Sequence, residues 1–216
     1  LEAMGAHNIN LVTPTHFAPQ IKAALDLARS DGFSNRPLAL PIVYNTSGYE
    51  LSEAIEALEG YVDVFLTDFK YASSELAQRY SAAPDYPRIA SCALDAMFEL
   101  VGPLRYDENE RGEERLVRGV VVRHLLLPGH LEDSKRVMEL LAAKPYRDDM
   151  IVSIMNQFTP SKELIRDYPE LASRVSEDEY DELIDYALDL GIVHSFMQEG
   201  GTADESFIPA FDYEGV

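Results

Sequence analysis

The sequence predicts an α/β fold built on parallel strands, and three observations carry that prediction. Apolar strand-like runs alternate with helical patterns along the whole chain. Each run ends in a short polar or charged cluster, as an α/β sheet or barrel requires when ligand chemistry gathers at one mouth. The 216 residues, 46% hydrophobic, suffice to bury one substantial core as a single domain spanning 1–216.

Taken in order, Leu1 and Met4 share a face ahead of Gly5, so the start reads as the last turn of a helix, with a strand and helix expected upstream. The alternative is the frayed end of a complete domain. Residues 8–13 read as the first strand, and Pro19 opens a helix with Ile21, Leu25 and Ala28 on one face before Gly32 stops it. The second strand, 41–44, precedes a helix carrying Leu51, Ile55 and Leu58 and ending at Gly60. The unbroken apolar run 62–66 is the third strand, of the type covered on both faces. Two helical stretches follow, 74–81 and 88–101, broken by Gly102-Pro103. Residues 106–115 are highly charged and without periodicity, hence a mobile loop.

The second half repeats the scheme. Residues 118–127 form a strand closed by Pro128-Gly129, and Asp133 or Ser134 caps a helix with Val137, Leu140 and Leu141 inward. Residues 151–155 are the fifth strand. Ser176 and Glu179 form a capping box, and Tyr180, Leu183, Ile184, Ala187 and Leu188 make one apolar stripe up to Gly191. Five strands are too few for an eight-stranded barrel, so a partial barrel or an open sheet is expected. Residues 200–216 form an acidic tail with Phe207, Ile208, Phe211 and Tyr213, either a docking segment or one that folds back.

Composition excludes several classes. With 18 basic against 38 acidic residues, the net charge of −20 repels a polyphosphate backbone, so nucleic acid is not expected as a partner. The acid clusters at 50–59, 107–114 and 177–189 read as solvated faces. No apolar run approaches the roughly 20 residues that span a bilayer, and these residues hold no basic stretch followed by an apolar one of signal-peptide type, so the expected location is cytoplasmic. The single Cys92 rules out an internal disulfide framework and reads as a small buried hydrophobe in its helix. His7, His130 and His194 show no metal spacing and read as solvent or packing histidines.

Among the strand ends, Asp68 and Lys70 are two residues apart and so point to the same side, placing a carboxylate and an ammonium together. Arg123 and His124 are adjacent, so one of them at most faces a given side of the sheet.

Read jointly, the runs at 5–16, 43–50, 68–71, 122–129 and 153–160 resemble radical SAM proteins related to pyruvate formate-lyase activating enzyme, in the right order and over nearly the whole chain. The resemblance implies a partial (βα)6 TIM-like barrel that binds a [4Fe-4S] cluster and S-adenosylmethionine. There, one electron cleaves the sulfonium to methionine and a 5′-deoxyadenosyl radical, which abstracts a hydrogen atom. In activating enzymes the hydrogen comes from a glycine on a glycyl radical enzyme; that or another protein substrate is implied as partner, with reduced flavodoxin or ferredoxin as electron donor. The family holds its cluster with three cysteines in a CxxxCxxC loop after the first strand. With Cys92 alone, this sequence holds no such loop, so the first βα unit is expected upstream, and these residues by themselves are expected to be inactive and to bind no metal.

Roles carry over by position. Thr13 and His16 stand where relatives have a Gly-Gly-Glu run contacting the methionine amino group; His16 reads equally as a surface residue at a helix start. Asn45 and Thr46 stand where activating enzymes place an acid near the methionine carboxylate and a monovalent cation, and Asn45 lacks that charge. Asp68 and Lys70 match an Asp-x-Lys strand end toward methionine or ribose, or else form a local ion pair. Arg123 or His124 contacts the cofactor carboxylate or substrate, or makes a structural salt bridge; Asn156 and Gln157 contact adenine or ribose, or satisfy the turn into Pro160. Two other classes stay open: a non-catalytic barrel homologue that binds without turnover, and a TIM-type lyase using Lys70 as a Schiff-base amine beside Asp68.

Overall fold

The computed structural model describes residues 6–30, 38–108, 112, 114–193 and 195–197. The expectations for 1–5, Gly32, His194 and the tail 200–216 lie outside the described residues. The fold is α/β with a mostly parallel sheet. Its strands are β1 (Ile9–Val12), β2 (Ile42–Thr46), β3 (Val64–Asp68), β4 (Arg105–Glu108), β5 (Glu114–Leu125), β6 (Ile151–Met155) and β7 (Ser195–Met197). Spatial order is β1-β2-β3-β5-β6-β7, every pair parallel, with β4 antiparallel to β5.

Each parallel strand therefore lies beside its parallel predecessor in the chain. Right-handed crossovers that never reverse direction put their helices on one face of the sheet. Those helices are α1 (Ala18–Arg29), α2 (Ser52–Glu56), α3 (Ser74–Ser81), α4 (Tyr86–Val101), α5 (Leu131–Ala142), α6 (Lys162–Asp167) and α7 (Glu177–Asp189). Tyr44, Phe65, Val120, Val122, Val152 and Ile154 point into that layer and pack with Ile55, Leu94, Met97, Met138, Leu141 and Leu183. The opposite face carries Asn45, Leu66, Asp68, Arg123, Ser153 and Met155, all half-buried. The same period-two alternation thus separates a dry core from an accessible face.

Several expectations are corrected. Of the span expected as a mobile loop, 106–108 and 114–115 are strand: β4 and the start of β5 pair there, with Asp107 opposite Arg115 and the Arg115 Nε donating to Asp107 Oδ1 at 2.7 Å. An exposed ribbon has no apolar alternation, so its signal is the cross-strand charge pair. A sixth parallel strand, β7, also appears. The third strand runs two residues later than expected, which puts Asp68 on the strand itself.

Helix α5 starts at Leu131, and its N-cap, His130, makes no side-chain cap. Asp133 and Ser134 are buried in its first turn and serve other partners described below. Leu140 and Leu188 are exposed rather than inward, and Cys92 is exposed on α4. Of the acids expected on solvated faces, Glu50 is buried. The Ser176–Glu179 capping box is present, and the buried stripe of α7 is Tyr180, Leu183, Ile184 and Ala187. None of the described helices is long and apolar enough to cross a membrane.

Candidate functional site

Three adjacent strand ends build the site. Asp68 on β3 is the direct register partner of Arg123 on β5, and Asn45 on β2 pairs with Leu66, two residues before Asp68. Alternation brings all three side chains out on the accessible face. The Arg123 guanidinium donates to Asp68 Oδ1 from Nε at 2.9 Å and to Asn45 Oδ1 from Nη2 at 2.8 Å, with Nη2 also 2.8 Å from Asp68 Oδ1. Lys70 Nζ lies 3.1 Å from the other oxygen, Asp68 Oδ2. The Lys70 side chain is 40% exposed against 18% for Asp68, so the ammonium end is the open end of the network.

Two cations share one carboxylate here, leaving a local positive surplus on a chain of net charge −20. A carboxylate or other small anion is the ligand such a surplus attracts. The Asn45 and Asp68 oxygens lie beside it as acceptors for an ammonium or hydroxyl group. Together they offer the two signs that an amino-acid zwitterion presents.

The backbone carrying these groups is pinned from the helix side. Phe69 N–H donates to Arg123 O at 2.9 Å, and its carbonyl accepts from His124 Nδ1 at 2.8 Å. Because the carbonyl can only accept, Nδ1 bears the proton and Nε2 accepts from the Ser134 hydroxyl, also at 2.8 Å. Burial pushes the His124 imidazole down to about 4, with the Phe69 carbonyl and the Asp68 charge opposing that effect. His124 is therefore a neutral peg. Asp133 Oδ2 accepts from Ala72 N–H at 3.1 Å, and burial raises its carboxyl pKa. Gly48, at φ +78°, passes so close to β3 that a Cβ there would lie 2.2 Å from Asp68 O.

The structure brings Asn45, Asp68, Lys70 and Arg123 together and sends Thr46 and His124 to the other face. Thr46 donates to Glu50 Oε1 at 2.7 Å and the Thr15 hydroxyl donates to the same oxygen at 2.5 Å, which ties the β1 and β2 ends. Thr13 sits at φ +51°, a left-handed conformation unusual for a β-branched residue, with its N–H on Asn45 O at 2.8 Å. His16 is exposed in a 3-10 turn after β1. Asn156 and Gln157 lie half-buried just past the end of β6, and Gln157 Nε2 donates to Met155 Sδ at 3.7 Å.

Tyr86 carries no mark in the sequence pattern. Its hydroxyl contacts Ser47 O, Asp68 O and Lys70 N–H, partners 39, 18 and 16 residues away. A tyrosine at a helix start reads as core, so no local signal marks it.

A second cluster ties the β5–β6 side of the rim: the Tyr80 hydroxyl meets His130 Nε2 at 2.8 Å and Glu170 Oε1 at 3.1 Å. A cavity of about 580 Å³ opens beside this cluster along Gln78, Arg79 and Tyr168 and includes none of the four network residues. Among the described residues no group of three or more His, Cys, Asp or Glu is placed to hold a metal ion.

No family model matches the chain. It is 28% identical over 149 residues, 68% of its own length, to Uncharacterized protein MJ0674 of Methanocaldococcus jannaschii, and the match spans 38% of that relative. Among solved structures it overlays a domain of pyruvate-formate lyase-activating enzyme from Bacteroides vulgatus with a TM-score of 0.56 at 13% identity, covering 90% of this chain and all of that one. A spore photoproduct lyase mutant with bound AdoMet and a dinucleoside spore photoproduct gives a TM-score of 0.43 at 11% identity, over 86% of this chain and 56% of that one, and carries no argument. What the comparisons establish is a fold shared with the activating-enzyme domain.

Proposed function

We propose that this chain is the S-adenosylmethionine-binding part of a radical SAM enzyme related to pyruvate formate-lyase activating enzyme, with a partial (βα)6 barrel as its core. The observation that carries the proposal is the Asn45–Arg123–Asp68–Lys70 network at three adjacent strand ends. Its support is the fold shared with the activating-enzyme domain over 90% of the chain. Lys70, the more exposed cation, meets the methionine carboxylate, while Asp68 and Asn45 accept from the amino group or ribose. Thr13 and Asn156, each one residue past the end of its strand, β1 and β6, flank the same mouth. When bound, S-adenosylmethionine supplies a sulfonium that one-electron reduction converts into a hydrogen-abstracting species.

The donor set for a [4Fe-4S] cluster does not fit these residues, because the one cysteine is exposed on α4. No step is assigned through a cluster held by this chain. The proposal places the three thiolates in a preceding segment of the complete protein, and takes a glycyl radical enzyme as substrate and flavodoxin or ferredoxin as electron donor. The test is an anaerobic assay of the complete gene product, reconstituted with iron and sulfide and reduced with dithionite. It forms 5′-deoxyadenosine and methionine from S-adenosylmethionine; absence of 5′-deoxyadenosine counts against the proposal.

A further inference from the structure

We infer that Tyr86 is a positioning residue of this site: its hydroxyl joins the end of β2 to the end of β3 and so sets the backbone from which Asp68 and Lys70 project. The ligand-binding consequence rests on the reading of the site given above.

The hydroxyl lies 2.9 Å from Ser47 O, 3.0 Å from Asp68 O and 3.0 Å from Lys70 N. A phenol has one proton and can accept, so it takes the Lys70 N–H and donates to the two carbonyls in alternation. Ser47 lies two residues past Asn45, so one buried oxygen links both strands that supply Asn45, Asp68 and Lys70. The ring has little freedom to leave: Tyr49 stacks on it at 6.0 Å, and Phe69 and Tyr71 meet it edge-on at 6.5 and 5.6 Å.

Gly48 makes the arrangement possible, because only a residue without Cβ lets the β2 loop lie against Asp68 O. The hydroxyl bonds to backbone alone and reaches the strand ends from helix α4, so Tyr86 acts through Asp68 and Lys70 rather than on a ligand. Burial raises its pKa, which keeps the proton in place.

A merely structural Tyr86 would need its ring and not its oxygen. Tyr86→Phe keeps the ring and leaves one buried N–H without its acceptor. The measurement is hydrogen exchange of the complete protein resolved to single amides, paired with calorimetric titration of S-adenosylmethionine. In Tyr86→Phe the Lys70 amide exchanges about tenfold faster, the Val122 and Ile154 amides keep their protection, and S-adenosylmethionine affinity falls about tenfold. Tyr49→Phe, which removes a neighbouring hydroxyl bonded to Asp85, leaves both readouts unchanged.

The inference is overturned if Lys70 exchange is unaltered, if all three amides accelerate equally, or if affinity holds while Lys70 exchange rises. Failure of the unaltered protein to bind S-adenosylmethionine refutes the functional reading instead, and the exchange arm still decides the role of Tyr86. Should Tyr86→Phe not fold, the unaltered protein shows a slowly exchanging Tyr86 hydroxyl proton with a cross-peak to the Lys70 amide; its absence overturns the inference.

Discussion

Asp68 and Arg123 face each other as direct register partners across β3 and β5, and the Arg123 guanidinium reaches past Asp68 to Asn45 on a third strand. Both side chains are partly open to solvent, at 18% and 27% exposure, so their attraction is largely screened. A double-mutant cycle with Asp68→Asn and Arg123→Met, read by urea unfolding, should give a coupling of about 0.5–1 kcal/mol. A coupling of several kcal/mol would make the pair a structural lock rather than a binding arrangement.

His124 should make the protein sensitive to mild acid. Its folded pKa is about 4 against an ordinary 6.5, so between those values the unfolded chain takes up a proton that the folded chain refuses. Stability from this group is complete above about pH 6.5 and falls by about 3 kcal/mol as pH drops to about 4. Asp133, whose pKa burial raises, acts in the opposite direction in acid and is present in both proteins compared. Urea unfolding from pH 7 to pH 4.5 should therefore show a shallower decline in His124→Asn than in the unaltered protein. Parallel profiles would refute the assignment.

Gly48→Ala should cost about 2–4 kcal/mol, since the residue sits at φ +78° and the added Cβ would fall 2.2 Å from Asp68 O. The same displacement moves Asp68, so ligand affinity should fall with stability. A thermal unfolding scan showing no change in Tm would contradict the close approach of the loop after β2 to the end of β3.

Cys92 is exposed, so the folded protein should release close to one equivalent of thionitrobenzoate from Ellman's reagent without denaturant, for every cysteine that these residues contribute. A thiol that reacts only after unfolding would restore the buried position its sequence context suggests.

Much of this fold is legible in the sequence because its signals are local. The apolar run of β6 begins and ends at Ile151 and Met155 as the pattern predicts, and the Ser176–Glu179 box marks the start of α7. Period-two alternation likewise separates Arg123 from His124 and aligns Asp68 with Lys70. What escapes is set by long-range partners. β4 is an exposed strand with no apolar alternation, held to β5 by antiparallel pairing, and β7 is three residues long. Thr46 and His124 carry polar side chains, yet the strand phase turns them into the helix layer, where Glu50 and Ser134 satisfy them. No sequence pattern states that phase for a polar residue at a strand end. Tyr86 is invisible for the same reason, since its hydroxyl has only backbone partners on two other elements.

The central claim is that the Asn45–Arg123–Asp68–Lys70 network holds S-adenosylmethionine, and calorimetric titration into the complete, iron-sulfur-reconstituted protein tests it most directly. The unaltered protein should bind with a micromolar dissociation constant, of the order common for small charged ligands (about −8 kcal/mol). Asp68→Asn and Lys70→Met should each weaken binding about tenfold or more while leaving the cluster spectrum intact. Equal affinity in the unaltered and substituted proteins, or no binding to the unaltered protein, would contradict the account.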